Sequence, residues 1–544
     1  MRTKTMAADD AELTRKDGSK VEIGDRISVD DNIGTVRFIG CVPPTKGVWL
    51  GVEWDDPSRG KHDGSHEGVR YFETSHPTSG SFVRPKKVDL GQDLVSAIQH
   101  RYGVQHDGDA GVDTDKLFVL DSSNRATVVE MVGAEKVNKK QSQLDRLKEV
   151  SVREKNVYGI RPDCKLAQIT PKIVELDLSR NLVASWDMVA RICQHLPHLN
   201  NLHLSENCLP SPADPQKLAP VFTKVTILYL NKMNYTWEQV MQCCCMFPAL
   251  EKLYVCNNVI ETLQEPKECL QCLKVISLES NLISSWEEML KLGGLQRLET
   301  LVISDNKIER MYFPDVSNGQ KSNLFPSLKQ IFFTGKNVKE WSTFDELNKL
   351  RSLVELQFGS IPSLGEPELV REIVIAKIAN LKRCNRTVVE EQERKGAEID
   401  YLKRYGPEWL KSGGSQDPTK NKPKTDFLSQ HPSFQAIVEK WGAPEDSEMT
   451  QQSKSLKDNL IIVKMVCPAC PEKTVVEKKL PVTMSIQKIR TMVKRMFKLD
   501  GDFFLYYTSQ KMQGPEIEFD NELRQLSFYS VESGDTIHVK CCTA

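Results

Sequence analysis

Residues 34–88 read GTVRFIGCVPPTKGVWLGVEWDDPSRGKHDGSHEGVRYFETSHPTSGSFVRPKKV. Glycines and aromatic residues are interspersed throughout, and the apolar runs, such as Val48 to Trp54, are too short for helices. Turn residues bound each run, so the pattern predicts a small, strongly bent β domain. Between two of these strands sits Gly60-Lys61-His62-Asp63-Gly64. Two glycines there let the backbone approach a ligand and turn its N–H groups outward, an arrangement that captures carboxylates. Lys61 adds a point charge, Trp49, Trp54, Phe72 and Phe82 supply an aromatic groove beside it, and Arg84 completes the candidate set. The competing account is that these rings only close a small core, since aromatic residues are first of all burial residues. That account weighs most on single residues such as Trp49 or Phe38 and least on the intact glycine loop with its lysine.

The middle of the chain repeats. An L-x-L-x-x-N frame recurs at Leu176, Leu202, Leu253, Ile276 and Leu301, ending on Asn181, Asn207, Asn258, Asn281 and Asn306, with weaker copies from Val150, Leu228, Ile331 and Leu356. Repeats of this length, each a short strand with a helical return, stack their apolar positions into one continuous core, and the Asn side chain ties the turn together. Between the two core residues of each frame lie Asp177, His203, Tyr229, Tyr254, Ser277, Val302 and Phe332, which strand alternation places on the concave face. His203, Tyr229 and Tyr254, with Asn231 and Glu279 as neighbours, form a strip suited to contacting a protein. The alternative is that these rings pack only on each other. Trp186, Trp237, Trp286 and Trp341 fall at a fixed offset from their repeat starts and read as convex-side packing. Residues 367–405 read as a charged capping helix, with Glu390 to Lys395 as its solvated face.

Residues 411–458 carry Gly413-Gly414 and scattered prolines and read as a linker with some local order. Beyond them, apolar Leu460 to Val466, a turn at Cys467 to Pro471, a strand from Thr474 to Leu480, a helix from Ser485 to Phe497, and strands at Phe503 to Tyr507 and Thr536 to Val539 give the order ββαβ…β. Cys467-Pro-Ala-Cys470 would need a helix N-terminus to act as a redox pair, and instead falls in a hairpin turn with no second Cys/His pair at zinc spacing.

The 544 residues predict three or four domains. Lys plus Arg is 73 and Asp plus Glu is 74, which leaves no bulk charge arguing for nucleic acid or a membrane surface. There is no apolar signal segment, and no run approaches the ~18 apolar residues of a membrane span. Fifteen cysteines, an odd count, suit a reducing compartment better than a disulfide framework, so a cytoplasmic location is expected. No phosphate-binding loop, nucleophile elbow, kinase set, metal site or cofactor motif is visible, so the chain is expected not to be an enzyme.

The GKHDG loop and its flanking aromatics resemble the CAP-Gly domain family, whose GKNDG signature differs only in having Asn where His62 stands. That family binds acidic C-terminal tails ending in an aromatic residue, above all that of α-tubulin. The resemblance implies tail-binding roles for Gly60, Lys61, His62, Asp63 and Gly64. The middle resembles a leucine-rich-repeat solenoid, and the C-terminal part resembles a ubiquitin-like β-grasp domain without the terminal Gly-Gly of a conjugated modifier. The expected fold is therefore multidomain: a disordered stretch over 1–20, an all-β CAP-Gly domain over 21–95, and a linker over 96–146. An α/β leucine-rich-repeat solenoid with a helical cap covers 147–405, a second linker 406–457, and an α+β ubiquitin-like domain 458–544. This order resembles the tubulin-folding cofactor E family. It implies binding of α-tubulin, reaching β-tubulin through the heterodimer, and joint action with cofactors B, C and D in heterodimer assembly and dissociation. Only this resemblance implies that the cytoplasmic location is also cytoskeleton-associated. The competing functions are a microtubule-associated CAP-Gly adaptor and a ubiquitin-pathway adaptor that contacts the proteasome through the ubiquitin-like domain.

Overall fold

The computed structural model describes residues 13–103, 118–120, 126–128, 142–317, 319–444, 460–468, 475–499, 501–509, 516–522 and 524–541. They fall into two compact units, one running to Ala443 and one beginning at Pro444.

The first unit opens with a four-stranded antiparallel sheet of β1 (Arg26–Val29), β2 (Asn32–Cys41), β3 (Val48–Trp54) and β4 (Gly80–Val83) in that order. Asp30 and Asp31 both take positive φ, the geometry a tight β1–β2 hairpin requires. A register shift between Val36 and Phe38 bends β2, as one extra residue in a strand does. Ile27, Val29, Val36, Leu50, Val52 and Trp54 form the core. Trp54 therefore belongs to the interior and not to the groove expected of it. One buried cation closes this domain: the Arg26 guanidinium donates to Asp55 and, at 3.0 Å, to Thr35 Oγ1. Residues 13–20, expected within a disordered stretch, fold back through a Thr14–Lys20 bridge, and Arg15 pairs with Asp25 at 2.8 Å.

The repeat array is an eleven-stranded sheet whose strands, except for a closing antiparallel turn at 383–388, run parallel. Its ladder aligns Val150, Leu176, Leu202, Leu228, Leu253, Ile276, Leu301, Ile331 and Leu356, all buried, in the register read from the sequence. Each frame asparagine is buried and bridges repeats. Asn281, for example, donates to Val255 O at 3.0 Å and Leu278 O at 2.9 Å and accepts from Ile260 N. Trp186, Trp237 and Trp286 open convex helices behind Ser185, Thr236 and Ser285 caps, and all three are buried.

The stretch expected to link the first two domains begins with a helix, α1 (Leu94–Tyr102), capped by Asp93. Its Leu94, Ala97, Ile98 and Tyr102 enter the core of the repeat array. Just before it, β5 (Gln92–Asp93) pairs in parallel with β6 (Val157–Gly159) of the first repeat. Around that pairing, Asn156 Nδ2 donates to Asp89 at 2.6 Å, and the Arg15 guanidinium sits 4.3 Å over the Tyr158 ring. The Tyr158 hydroxyl donates to Asp17; burial and that carboxylate push the phenol up to about 12. The β domain is thus fastened to the array by a strand pair and polar contacts.

At the other end, the array is closed by α2 (Pro367–Lys377) and α3 (Glu391–Lys411). The Glu390–Lys395 run is more than a solvated face. Arg394 donates to Ile375 O and Ile378 O at the C-terminal end of α2, and Glu393 binds Arg371 at 2.7 Å. The expected linker after α3 also differs. Helices α4 (Thr425–Gln430) and α5 (Phe434–Trp441) pack Phe427, Phe434 and Ile437 against Tyr401 and Trp409, giving a small core of their own. Beneath them Lys377 and Asp345, both buried, pair at 2.7 Å.

Cys245 and Cys269 are joined as a disulfide, Cα atoms 5.6 Å apart, against the all-thiol expectation. They are 24 residues apart, about one repeat, so stacking brings equivalent convex positions together. Cys193, Cys243, Cys244 and Cys384 are buried free thiols, whose pKa values burial raises.

The second unit is a five-stranded sheet of β7 (Leu460–Val466), β8 (Val476–Pro481), β9 (Phe503–Thr508), β10 (Ile517–Glu518) and β11 (Thr536–Cys541), in the order β8-β7-β11-β9-β10. One helix, α6 (Ile486–Phe497), packs Ile486, Ile489, Val493 and Phe497 into its core. This is the β-grasp arrangement expected. Cys467 is buried at the end of the β7–β8 hairpin, and Cys470 lies outside the described residues.

Candidate peptide groove and concave face

The Gly60–Gly64 loop is shaped by close backbone packing. A Cβ on Gly60 would sit 2.0 Å from Thr78 O, and one on Gly64, at φ +91°, 2.0 Å from Phe72 O. The expected outward row of N–H groups is not what forms. Lys61 N and His62 N both donate to Gly80 O, at 2.7 and 3.1 Å, and Gly80 N returns a bond to His62 O at 2.8 Å. Gly64 N donates to His62 Nδ1 at 3.0 Å. The loop spends the Lys61 and His62 amides on holding itself against Gly80, the first residue of β4, and the Gly64 amide on its own histidine. Asp63 is also committed, accepting from Ser65 N at 3.1 Å and pairing with Arg70 at 2.7 Å.

The loop instead positions side chains. Phe82 on β4 is the centre of a ring cluster, with His62, Tyr71, Phe72, Phe38 and His66 at centroid distances of 5.0, 5.4, 5.4, 6.2 and 6.2 Å. Phe72 is buried beneath Gly51, where a Cβ would come within 2.4 Å of the ring, while Phe38, Tyr71 and Phe82 are half-exposed. Burial lowers the His62 pKa, so the ring is neutral near pH 7. Its Nδ1 accepts from Gly64, which leaves Nε2–H as a donor. Lys61 is exposed beside this patch. Trp49 and Arg84 make a separate pair, the guanidinium 3.7 Å over the indole and anchored at 2.8 Å to Lys46 O. The structure therefore brings Lys61, His62, Phe72 and Phe82 together, sets Trp49 and Arg84 apart as a pair, and removes Trp54 to the core. Sequence reading missed Tyr71 and His66, and left Phe38 undecided between core and groove. Phe38 and Tyr71 lie on opposite sides of the loop in sequence, and only β2 bending over β3 joins them.

On the concave face of the repeats, His203 stacks on Tyr229 at 3.9 Å, and Tyr229 on Tyr254 at 4.3 Å with 3° between planes. The strip is a continuous stack, so the rings do pack on one another while remaining half-buried. Glu175 lies 3.1 Å from His203 Nε2 without an aligned hydrogen bond, and accepts from Asn201 at 2.6 Å. Burial, with Tyr254 and Glu175 nearby, pushes the Tyr229 phenol up to about 12. A stacked ladder of this kind is a rigid surface that loses little side-chain freedom on binding.

Among the described residues no helix is long and apolar enough to cross a membrane, and no group of three or more His, Cys, Asp or Glu is placed to hold a metal ion.

The family model of the CAP-Gly domain matches residues 23–88. The chain is 42% identical over 523 residues to "Tubulin-specific chaperone E" of Bos taurus, covering 95% of this chain and 98% of that one. It is 34% identical over 526 residues to the protein of the same name in Drosophila melanogaster, with the same shares covered. A solved structure, the C-terminal ubiquitin-like domain of mouse tubulin-specific chaperone e, is 36% identical over 18% of this chain and 96% of that chain, with a TM-score of 0.15. Alignment over nearly the full length of both partners shows that the chain belongs to the tubulin-specific chaperone E family.

Proposed function

We infer that this chain is a tubulin chaperone that captures α-tubulin and, with partner cofactors of types B, C and D, assembles and dissociates the α/β heterodimer in the cytoplasm. The observation that carries this reading is the half-exposed ring cluster around Phe82, beside Lys61, on a domain fastened directly to the repeat array. An acidic tail ending in an aromatic residue complements it: the terminal ring meets Phe38, Tyr71 and Phe82, His62 Nε2–H donates to it, and Lys61 faces its carboxylates. The Trp49–Arg84 pair supplies a further cationic contact along the tail. The stacked His203-Tyr229-Tyr254 strip meets the folded body of the subunit.

Because β5 pairs with β6, the tail site and the concave face are held in one frame, so two modest contacts combine without the cost of ordering a long tether. Energetically, a chaperone that binds separated α-tubulin better than the heterodimer must favour dissociation unless a partner or nucleotide hydrolysis on tubulin offsets it. The test is titration of the full chain with an acidic peptide carrying or lacking its terminal aromatic residue, alongside dissociation of purified heterodimer. Equal affinity for the two peptides would contradict the groove assignment. A ubiquitin-pathway role, with a proteasome contact through the C-terminal unit, is tested separately by proteasome capture on residues 458–544.

A further inference from the structure

The C-terminal unit carries a groove that neither the tail site nor the concave face uses. β8 is an edge strand: it pairs with β7 on one side, and among the described residues its other row of backbone N–H and C=O groups meets no strand. Alternation from the buried Leu480 turns Lys478 and Val476 toward the side of the sheet on which α6 packs. On α6, Lys488, Thr491, Met492, Arg495 and Met496 stand at i, i+3, i+4, i+7 and i+8, one face flanking the buried stripe. Those five and Lys478 line a groove of about 410 Å³.

Its chemistry is of two kinds. Met492 and Met496 are half-buried against the core and give a soft apolar floor that adapts to different side chains. Lys478, Lys488 and Arg495 are exposed cations, and among the described residues none of the three has an ion-pair partner. The neighbouring Arg490, by contrast, is held by Glu522 at 3.3 Å. Among the described residues no carboxylate lines the groove.

We propose that this groove binds an extended acidic–apolar peptide that adds as a strand along β8. The peptide's apolar residues rest on the two methionines and its flanking Asp or Glu residues face the three cations. An unpaired strand edge offers main-chain hydrogen bonds only to an extended polypeptide, and alternate side chains then read the pocket beside it. A nucleic-acid phosphate chain would satisfy the cations but would leave the strand edge and the thioether floor unused. Lysines on an edge strand also deter uncontrolled pairing; three cations converging with an apolar floor go beyond that need, because they select the charge of the strand admitted.

The experiment titrates the full chain with a fluorescein-labelled peptide of alternating valine and isoleucine flanked by glutamates. The peptide is amidated and has no terminal aromatic residue, which removes it from the N-terminal groove. Saturable binding in the micromolar range is expected. The Lys488→Glu/Arg495→Glu double variant should lose at least tenfold, and should bind a lysine-flanked version of the peptide instead. N-methylation of alternate peptide residues should abolish binding. The substituted positions are exposed on α6, and an unchanged melting curve verifies the fold. Equal binding of a polyglutamate peptide or an unrelated single-stranded RNA, indifference to N-methylation, or no saturation by millimolar peptide would overturn the proposal.

Discussion

Replacing Gly64 with valine tests whether backbone shape, more than charge, builds the tail site. Gly64 holds φ +91°, a conformation costing an L-residue about 1–2 kcal/mol. A Cβ there would also meet Phe72 O at 2.0 Å and the Phe72 ring at 3.1 Å, and such overpacking costs about 1–3 kcal/mol more. Relief requires the loop to move, which breaks the Gly64 N–His62 bond and shifts His62 and Phe72 from Phe82. If that cost of about 2–5 kcal/mol falls on the binding-competent loop, peptide affinity drops at least roughly 30-fold. Lys61→Ala removes only an exposed charge, about 0.2–1 kcal/mol, and so less than roughly sixfold. Calorimetric titration with an acidic, aromatic-ended peptide measures both variants, and the melting curve of the repeat array serves as the fold control. Gly64→Val binding within about fivefold of the parent would refute the reasoning, as would a larger loss from Lys61→Ala.

On the concave face, Tyr229→Ala/Tyr254→Ala should leave peptide binding intact while reducing capture of folded tubulin; normal melting with full heterodimer processing would remove that face from the account. Asp345→Ala leaves the buried Lys377 ammonium without its partner and should destabilise the first unit by about 3–5 kcal/mol, while Asp345→Ala/Lys377→Met recovers most of it, both read by denaturant unfolding. His431 Nδ1 and the Tyr401 hydroxyl share a hydrogen bond at 2.8 Å, and burial beside Lys377 pulls the histidine pKa down to about 4. The unfolded chain therefore takes up this proton first, and the histidine's contribution to stability falls as pH drops from about 6.5 toward 4, by on the order of 2 kcal/mol at pH 5. Asp345, pushed up to about 6 by burial, acts in the opposite sense over nearly the same window. The melting-temperature gap between the parent and His431→Gln should accordingly narrow from about pH 7.5 to about pH 5.5; a constant gap would contradict the assignment.

The repeat register was fully legible in the sequence, because an apolar residue that becomes core recurs at the centre of every strand from Glu149 to Gln357, with half-buried flanks in all but two of them, where Glu149 is exposed and Ser277 buried. What was not legible depended on contacts between distant segments. Helices α4 and α5 are six and eight residues long and bounded by Pro423, Pro432 and Gly442, so local signals read as breakers. Their burial is decided by Trp409 and Tyr401 on α3. The Cys245–Cys269 pair becomes readable only once the repeat period is used as a distance. In the candidate groove, residue types predicted the aromatic cluster, but not that Trp54 faces the core while Tyr71 replaces it. Nor could they show that Lys61, His62 and Gly64 use their amides internally, since Gly80, their main partner, lies beyond the loop in sequence.

The most direct test mixes the full chain with purified α/β-tubulin and weighs the products by light scattering after gel filtration. The account predicts a soluble one-to-one complex of the 61.7 kDa chain with α-tubulin, formed less readily when the tubulin lacks its terminal aromatic residue. Recovery of the chain only on polymerised microtubules, or equal complex formation whether or not that residue is present, would contradict it.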